Sequence, residues 1–397
     1  MGMDTARLAR VSPWLRAYVD EGKLAGANVA VIRDGHIVFR DRYGQRDIDS
    51  GAPMADDTIV RIYSMTKPMT TVAAMMLYEQ GHFQLDDPVS RYIPAFADMQ
   101  VWLSGEGGDM HTESAHRPFT VRELMTHTGG LTYGFIGQTP VDALYRECQV
   151  DFQTADKPLA QIVAGLAELP LLAQPGVEWN YSVSTDVLGH LVELWSGQDF
   201  EAYLTQQVIK PLGMLDTGFH VPEEKWDRFA ANYTRGRNGH LDCVDPGGGD
   251  SRYSRQAVTF SGGGGLVSTV DDYLRFMQML LNQGELHGTR LLGRKAVELM
   301  TSNHLPADMA SMGQPRFSES SYEGKGFGLG GSVMLDPAVA QIVGSPGEFA
   351  WGGAASTAFW VDPLERCGVV FLTQLMPSSQ YPIRNQLRVL TYQAIVD

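Results

Sequence analysis

Two β-hairpins, one near each end of the chain, constrain the fold more than any other feature of the sequence. The first is carried by "GANVAVIRDGHIVFRDRYG", residues 26 to 44, where two β-rich runs flank Asp34-Gly35, a dipeptide suited to a two-residue hairpin turn. The second lies in "EFAWGGAASTAFWVDPLERCGVVFLTQL", where runs from Thr357 to Val361 and from Gly368 to Thr373 flank a turn that contains Pro363. Between them the pattern is helical, with no sustained β alternation from about residue 83 to 225. The expected architecture is therefore α+β: a sheet formed from both chain ends and flanked by helices, with a mainly helical domain inserted. The expected boundaries are 1–82 plus 226–397 for the sheet domain and 83–225 for the insertion. At 397 residues the chain is long enough for two such units.

The helices have readable signals. Leu8, Val11, Leu15 and Val19 recur at helical spacing and predict one amphipathic first helix, capped near Asp4 or Thr5. "TKPMTTVAAMMLYEQGH", 66 to 82, predicts a buried helix that tolerates Pro68 in its first turn, with Met65, Met69, Met75 and Met76 as core filler. "TVRELMTHTGG", "ALYRECQ", "LAQIVAGLAELP" and "STDVLGHLVELWSG" read as helices of the middle section. Ser268 and Thr269 cap a later one, "VDDYLRFMQMLLNQG", and a last helix is expected from about Ile383.

Composition excludes several functions. Lys and Arg number 31 against 46 Asp and Glu, a formal charge of -15, so a polyanion would approach against the protein's field and no nucleic acid partner is expected. Cys148, Cys243 and Cys367 are odd in number and widely spaced, which suggests neither a disulfide framework nor a zinc site. The ten histidines form no H-E-x-x-H cluster, so no metal and no cofactor are expected. The N-terminus lacks the apolar stretch of a secretory signal and no run approaches membrane-spanning length. A cytoplasmic protein without a membrane partner is expected; the oligomeric state is not readable.

"YSMTK", residues 63 to 67, carries the chemistry. Ser64 and Lys67 lie three apart, so on a helix they share a face and can meet. A serine hydroxyl is a weak nucleophile unless a neighbour takes its proton, and a desolvated lysine can be that neighbour. Unpaired amides at the helix start favour the negative charge that develops when the serine attacks a carbonyl. Alone, the spacing equally describes a capping serine followed by a solvated lysine.

Two further segments resolve that ambiguity. "YSVSTDVLG", 181 to 189, follows the loop "AQPGVEWN" and puts Tyr181 just ahead of a helix, and "WGGAAST", 351 to 357, enters a strand of the terminal half. With "FTVRELMTHTGGLTYG" and "GGGGLVSTVDDYLRF", these segments make the chain resemble, over nearly its whole length, the serine β-lactamase and penicillin-binding-protein superfamily of the class C type. Within it the chain is most similar to the family VIII carboxylesterases. The resemblance implies the β-lactamase-like fold, with Ser64 as the acylated nucleophile and Lys67 and Tyr181 as its proton-transfer partners; which of the two is the general base stays open. It also implies an oxyanion hole formed by the backbone N–H groups of Ser64 and Ala354, and a substrate pocket that includes Trp351, Gly352, Gly353, Tyr133 and Val183.

Departures from the β-lactamase pattern bear on the substrate. The tyrosine motif Tyr-x-Asn is here Tyr181-Ser182-Val183, which lacks the amide side chain, and Trp351 stands where β-lactamases carry the lysine of Lys-Thr-Gly. An apolar ring in place of a cation favours neutral esters over anionic β-lactams. The expected function is hydrolysis of short-chain, small-molecule carboxylic esters through an acyl-enzyme on Ser64. The alternatives are a β-lactamase or D-alanyl carboxypeptidase, an acyltransferase, and a non-catalytic penicillin-binding or acyl-sensing protein. His127 reads as a satisfied structural histidine, Tyr63 and Trp179 as wall or core. The glycines at 262 to 265 lack a phosphate-loop ending and read as tight backbone beside the site.

Overall fold

Strands β1 (Gly26–Arg33) and β2 (His36–Asp47) meet at Asp34-Gly35, both left-handed with φ of 52° and 80°, the geometry of a type I′ hairpin turn. The computed structural model describes residues 2–151, 156–313, 319 and 321–397. β2 pairs onward with β3 (Ala52–Pro53). Five more strands come from the other end of the chain: β4 (Lys325–Phe327), β5 (Ser332–Met334), β6 (Phe349–Gly352), β7 (Ala358–Asp362) and β8 (Cys367–Thr373). The spatial order is β4-β5-β6-β7-β8-β1-β2-β3, with every pairing antiparallel. The two chain ends join where β1 lies against β8, with Ala30 opposite Val370 and Val31 opposite Val369.

β1, β7 and β8 are buried at every residue, because helices cover both faces of the sheet. Ala30, Ile32, Phe359, Val370 and Leu372 face a core shared with α3 (Thr66–Glu79) and α9 (Val270–Leu281). Val29, Val31, Trp360, Val369 and Phe371 face a second core closed by the N-terminal helices and by α11 (Ile383–Tyr392). The expected first helix is two, α1 (Thr5–Leu8) and α2 (Val11–Asp20). Pro13 in the first turn of α2 has no N–H for the Ala9 carbonyl, which ends an uninterrupted ladder there. Asp4 caps α1 as expected, accepting from the Arg7 amide at 3.0 Å.

The middle section carries α4 (Val121–Met125), α5 (Pro140–Glu147), α6 (Leu159–Leu166), α7 (Ser184–Ser196) and α8 (Phe200–Leu204). It also contains a hairpin the sequence reading lacks, Gln100–Ser104 against His111–Ser114. Gln100, Leu103 and Ser104 of its first strand are exposed and a register shift breaks the pairing, so no clean alternation marks it. A second unforeseen element pairs Asn232–Arg235 with Leu241–Asp245 and, in parallel, with Leu375–Met376. Helix α10 (Arg294–Met300) completes the α-helices of the described residues. Among the described residues no helix is long and apolar enough to cross a membrane.

The entry to α3 is held from below by Arg61. Its guanidinium has no exposed surface and donates to Asp245 (2.7 Å), the Ala230 carbonyl (2.6 Å), the Pro246 carbonyl (2.8 Å) and Ser251 (2.9 Å). A buried arginine is tolerable only with its donors matched in this way. Residue 61 is thereby fixed three positions before Ser64.

Candidate active site

The chain turns into α3 through a 3₁₀ segment, Tyr63–Met65. Tyr63 is left-handed at φ 43°, a conformation that costs a non-glycine residue of order 1–3 kcal/mol unless its surroundings impose it. They do: the ring is buried and its hydroxyl accepts from Asn232 Nδ2 at 3.0 Å. This strained residue sets the direction of Ser64. Ser64 keeps partial exposure, whereas Lys67 and Tyr181 are buried.

Lys67, in the first turn of α3, has no exposed surface. Its Nζ donates to the Gly263 carbonyl at 2.7 Å, the Tyr133 hydroxyl at 3.1 Å and, more weakly, Ser64 Oγ at 3.4 Å. It also lies 4.5 Å from the Tyr181 ring centroid. Burial lowers the Lys67 pKa to about 7, with Asp186 pulling it the other way. The free amine is therefore well populated near neutral pH.

Tyr181 stands just ahead of α7, which packs against α3. Its hydroxyl is bonded to Ser64 and receives the indole N–H of Trp351 at 3.3 Å. Burial raises its pKa, and the Ser64 and Trp351 hydrogen bonds oppose that rise without overcoming it. At neutral pH the group is a phenol. Trp351, at the end of β6, packs on Tyr181 with ring centroids 5.4 Å apart and on Phe327 at 5.2 Å. Replacing Trp351 by phenylalanine keeps the apolar wall and removes the donor to Tyr181. A fall of about 3- to 10-fold in kcat for an ester substrate is expected, the scale of one hydrogen bond, and is checked by steady-state kinetics.

β6 brings Gly352, Gly353 and Ala354 alongside the nucleophile turn. A Cβ on Gly353 would come within 2.4 Å of the Ile62 carbonyl oxygen and 2.3 Å of Thr357 Oγ1, so only glycine fits there. Arg384 of α11 donates to the Gly353 carbonyl at 3.2 Å and the Thr357 carbonyl at 3.1 Å, bracing the loop. Among the described residues the amides of Ser64 and Ala354 have no intramolecular acceptor. Both can meet an oxygen from outside.

Tyr133 and Val183, expected to touch substrate, have no surface open to solvent. Tyr133 instead turns its hydroxyl to Lys67, and Val183 caps the backbone start of α7, its amide donating to the Thr132 carbonyl at 3.2 Å. His127 is satisfied at one nitrogen only: Nδ1 is 3.0 Å from Ser182 Oγ, while the buried Nε2 has no partner among the described residues. Burial, followed by the Lys67 charge, holds it well below its usual pKa, so it is neutral. The residue missed in the sequence is Asp186, buried in the first turn of α7. Its only sequence signal is an acidic residue after Ser184-Thr185, which any helix start can carry.

The model of the family described as Beta-lactamase matches residues 11–393, so the chain belongs to the Beta-lactamase family. The α+β sheet and helices are thus its β-lactamase-like fold. Among relatives, protein Rv1367c of Mycobacterium tuberculosis is 36% identical over 371 residues, spanning 91% of this chain and 89% of its own. Esterase EstB of Burkholderia gladioli is 31% identical over 388 residues, spanning 94% and 91%. Among solved structures, EstCE1, described as a hydrolase with promiscuous acyltransferase activity, superposes with a TM-score of 0.80 at 28% identity over 98% of this chain and 99% of that one.

Proposed function

We propose that the protein is a serine esterase that hydrolyses neutral, short-chain carboxylic esters through an acyl-enzyme on Ser64. The observation that carries this reading is the convergence of a half-buried Ser64, a buried Lys67 of lowered pKa and a neutral Tyr181 on one point. In this reading Lys67, as free amine, accepts the Ser64 proton while Oγ bonds to the substrate carbonyl carbon. The oxyanion meets the amides of Ser64 and Ala354. Tyr181, hydrogen-bonded to Ser64, passes a proton to the leaving alcohol and then assists water in attacking the acyl-enzyme. Substrate would enter between the sheet built from both chain ends and the helical insertion of residues 83–225, in keeping with the usual placing of such pockets.

Trp351 supports an ester over a β-lactam or a D-alanyl peptide. It offers an aromatic face and an N–H already engaged with Tyr181, and no cation for a substrate carboxylate. The similarity to an esterase and to a hydrolase with acyltransferase activity supports the same choice. The second of these also favours a further reading, transfer of the acyl group to an alcohol in place of water.

The purified protein should turn over p-nitrophenyl acetate and butyrate and leave nitrocefin nearly untouched. Efficient nitrocefin turnover with negligible ester turnover would contradict the proposal. A single burst of nitrophenol without turnover would indicate a protein that acylates and stops. Added small alcohol diverts product from acid to new ester if acyl transfer competes.

A further inference from the structure

Among the described residues Asp186 is the buried acid whose charge acts on Lys67, and the proton-transfer scheme leaves it without a task. Its Oδ1 accepts from Ser261 Oγ and, at 3.0 Å, from the Gly263 amide. The same Gly263 presents its carbonyl to Lys67 Nζ at 2.7 Å, so Asp186 holds the peptide that holds the lysine. The second oxygen, Oδ2, is buried without a hydrogen bond of standard geometry and sits beside the Tyr133 hydroxyl. A Cβ on Gly263 would come within 2.7 Å of both Oδ2 and the Tyr133 oxygen, so the glycine leaves these two groups and Lys67 in one small polar chamber.

We propose that Asp186 is a positioning residue that fixes the Gly263 carbonyl on Lys67 and offsets the ammonium charge created when Lys67 takes the Ser64 proton. It rests on Lys67 being the proton acceptor. The step balances: the Ser64 O–H bond breaks, its proton joins the Nζ lone pair, and the Oγ electron pair bonds to the substrate carbonyl carbon as the C=O π pair moves onto the oxyanion, which re-forms C=O when the bond to the leaving alcohol breaks. A new positive charge then lies in a dry site, where an opposite charge nearby is worth far more than in water.

The groups facing Lys67 are Ser64 on its own helix, Tyr133 and His127 from the segment after α4, Tyr181 and Asp186 around α7, and the Gly263 carbonyl. His127 is neutral and both tyrosines have raised pKa values, which leaves Asp186 as the group whose charge favours the ammonium; burial raises its own pKa, opposed by the Ser261 hydrogen bond, the Lys67 charge and the Gly263 amide. Asp151, bonded to the Gly134 amide at 3.1 Å and lifted by burial to about 7, lies behind Tyr133 and titrates in the same window.

The test is the pH dependence of kcat/KM for p-nitrophenyl butyrate, which reports the free enzyme. Below a midpoint near 7 Lys67 is an ammonium and cannot accept a proton; above it the amine is free, so the rate rises with pH through that midpoint. Asp186→Asn keeps the two acceptor bonds and removes the charge. The limb should move down by about one pH unit, because the ammonium loses its counter-charge. A limb that stays in place overturns the role of Asp186 alone. Absence of the limb in the unaltered protein, or its loss in Asp151→Asn, overturns Lys67 as the acceptor and the inference with it. Should Asp186→Asn fail to fold, Tyr133→Phe decides: it removes a hydroxyl that accepts from the ammonium, and the limb must shift in the same direction, an unmoved limb counting against the proposal.

Discussion

Ser64→Ala is expected to lower kcat for p-nitrophenyl butyrate by about four orders of magnitude or more, leaving only what the amides and binding contribute. The size follows from the chemistry: among the described residues no other hydroxyl pairs with Lys67 at a solvent-accessible point, since Tyr133 and Tyr181 are buried. The stability change should be small, within about 1 kcal/mol. Ser64 is partly exposed, and Lys67 keeps its stronger bonds to Gly263 and Tyr133. Initial rates beside a thermal melt check both statements. A variant that melts normally and retains more than about a hundredth of the activity would place the nucleophile elsewhere.

Tyr181→Phe should cost roughly 100-fold or more in kcat, the range for a lost general acid or base, with KM little changed. Phenylalanine preserves the ring that packs on Trp351 and over which Lys67 sits, so the loss isolates the hydroxyl. The raised pKa of Tyr181 makes it a poor base at rest and a competent donor to a leaving alkoxide. In the proposed reading Lys67, lowered to about 7, is the better acceptor, so the two proton steps fall to different groups. Near full activity in Tyr181→Phe would leave Lys67 to carry both.

The sheet was legible because its signals are local. Asp34-Gly35 names its own turn, and the runs at 357–361 and 368–373 have nowhere to go but a buried sheet. What local signals miss is set by tertiary context. The hairpin of Gln100–Ser104 and His111–Ser114 has exposed, interrupted strands that carry no period. Pro13 was visible in the sequence, but an apolar stripe that runs on past it concealed the break between α1 and α2. Ser64, Lys67, Tyr181 and Trp351 were singled out from motifs, and the geometry brings them together. Tyr133 was singled out as pocket lining, and nothing in "GGLTYG" says that its hydroxyl turns inward to a lysine. Asp186 was not found, because a buried acid and a helix-start acid look alike in sequence; only the packing of α7 on α3 and the glycine loop separates them.

Covalent trapping tests the central claim most directly. Mixing the protein with excess p-nitrophenyl butyrate, quenching in acid within the first turnovers and mapping peptides by mass spectrometry should show a butyryl group on the peptide that contains "YSMTK", at Ser64, and none in Ser64→Ala. Ester turnover with no adduct at Ser64, or with the acyl group on another residue, would contradict it.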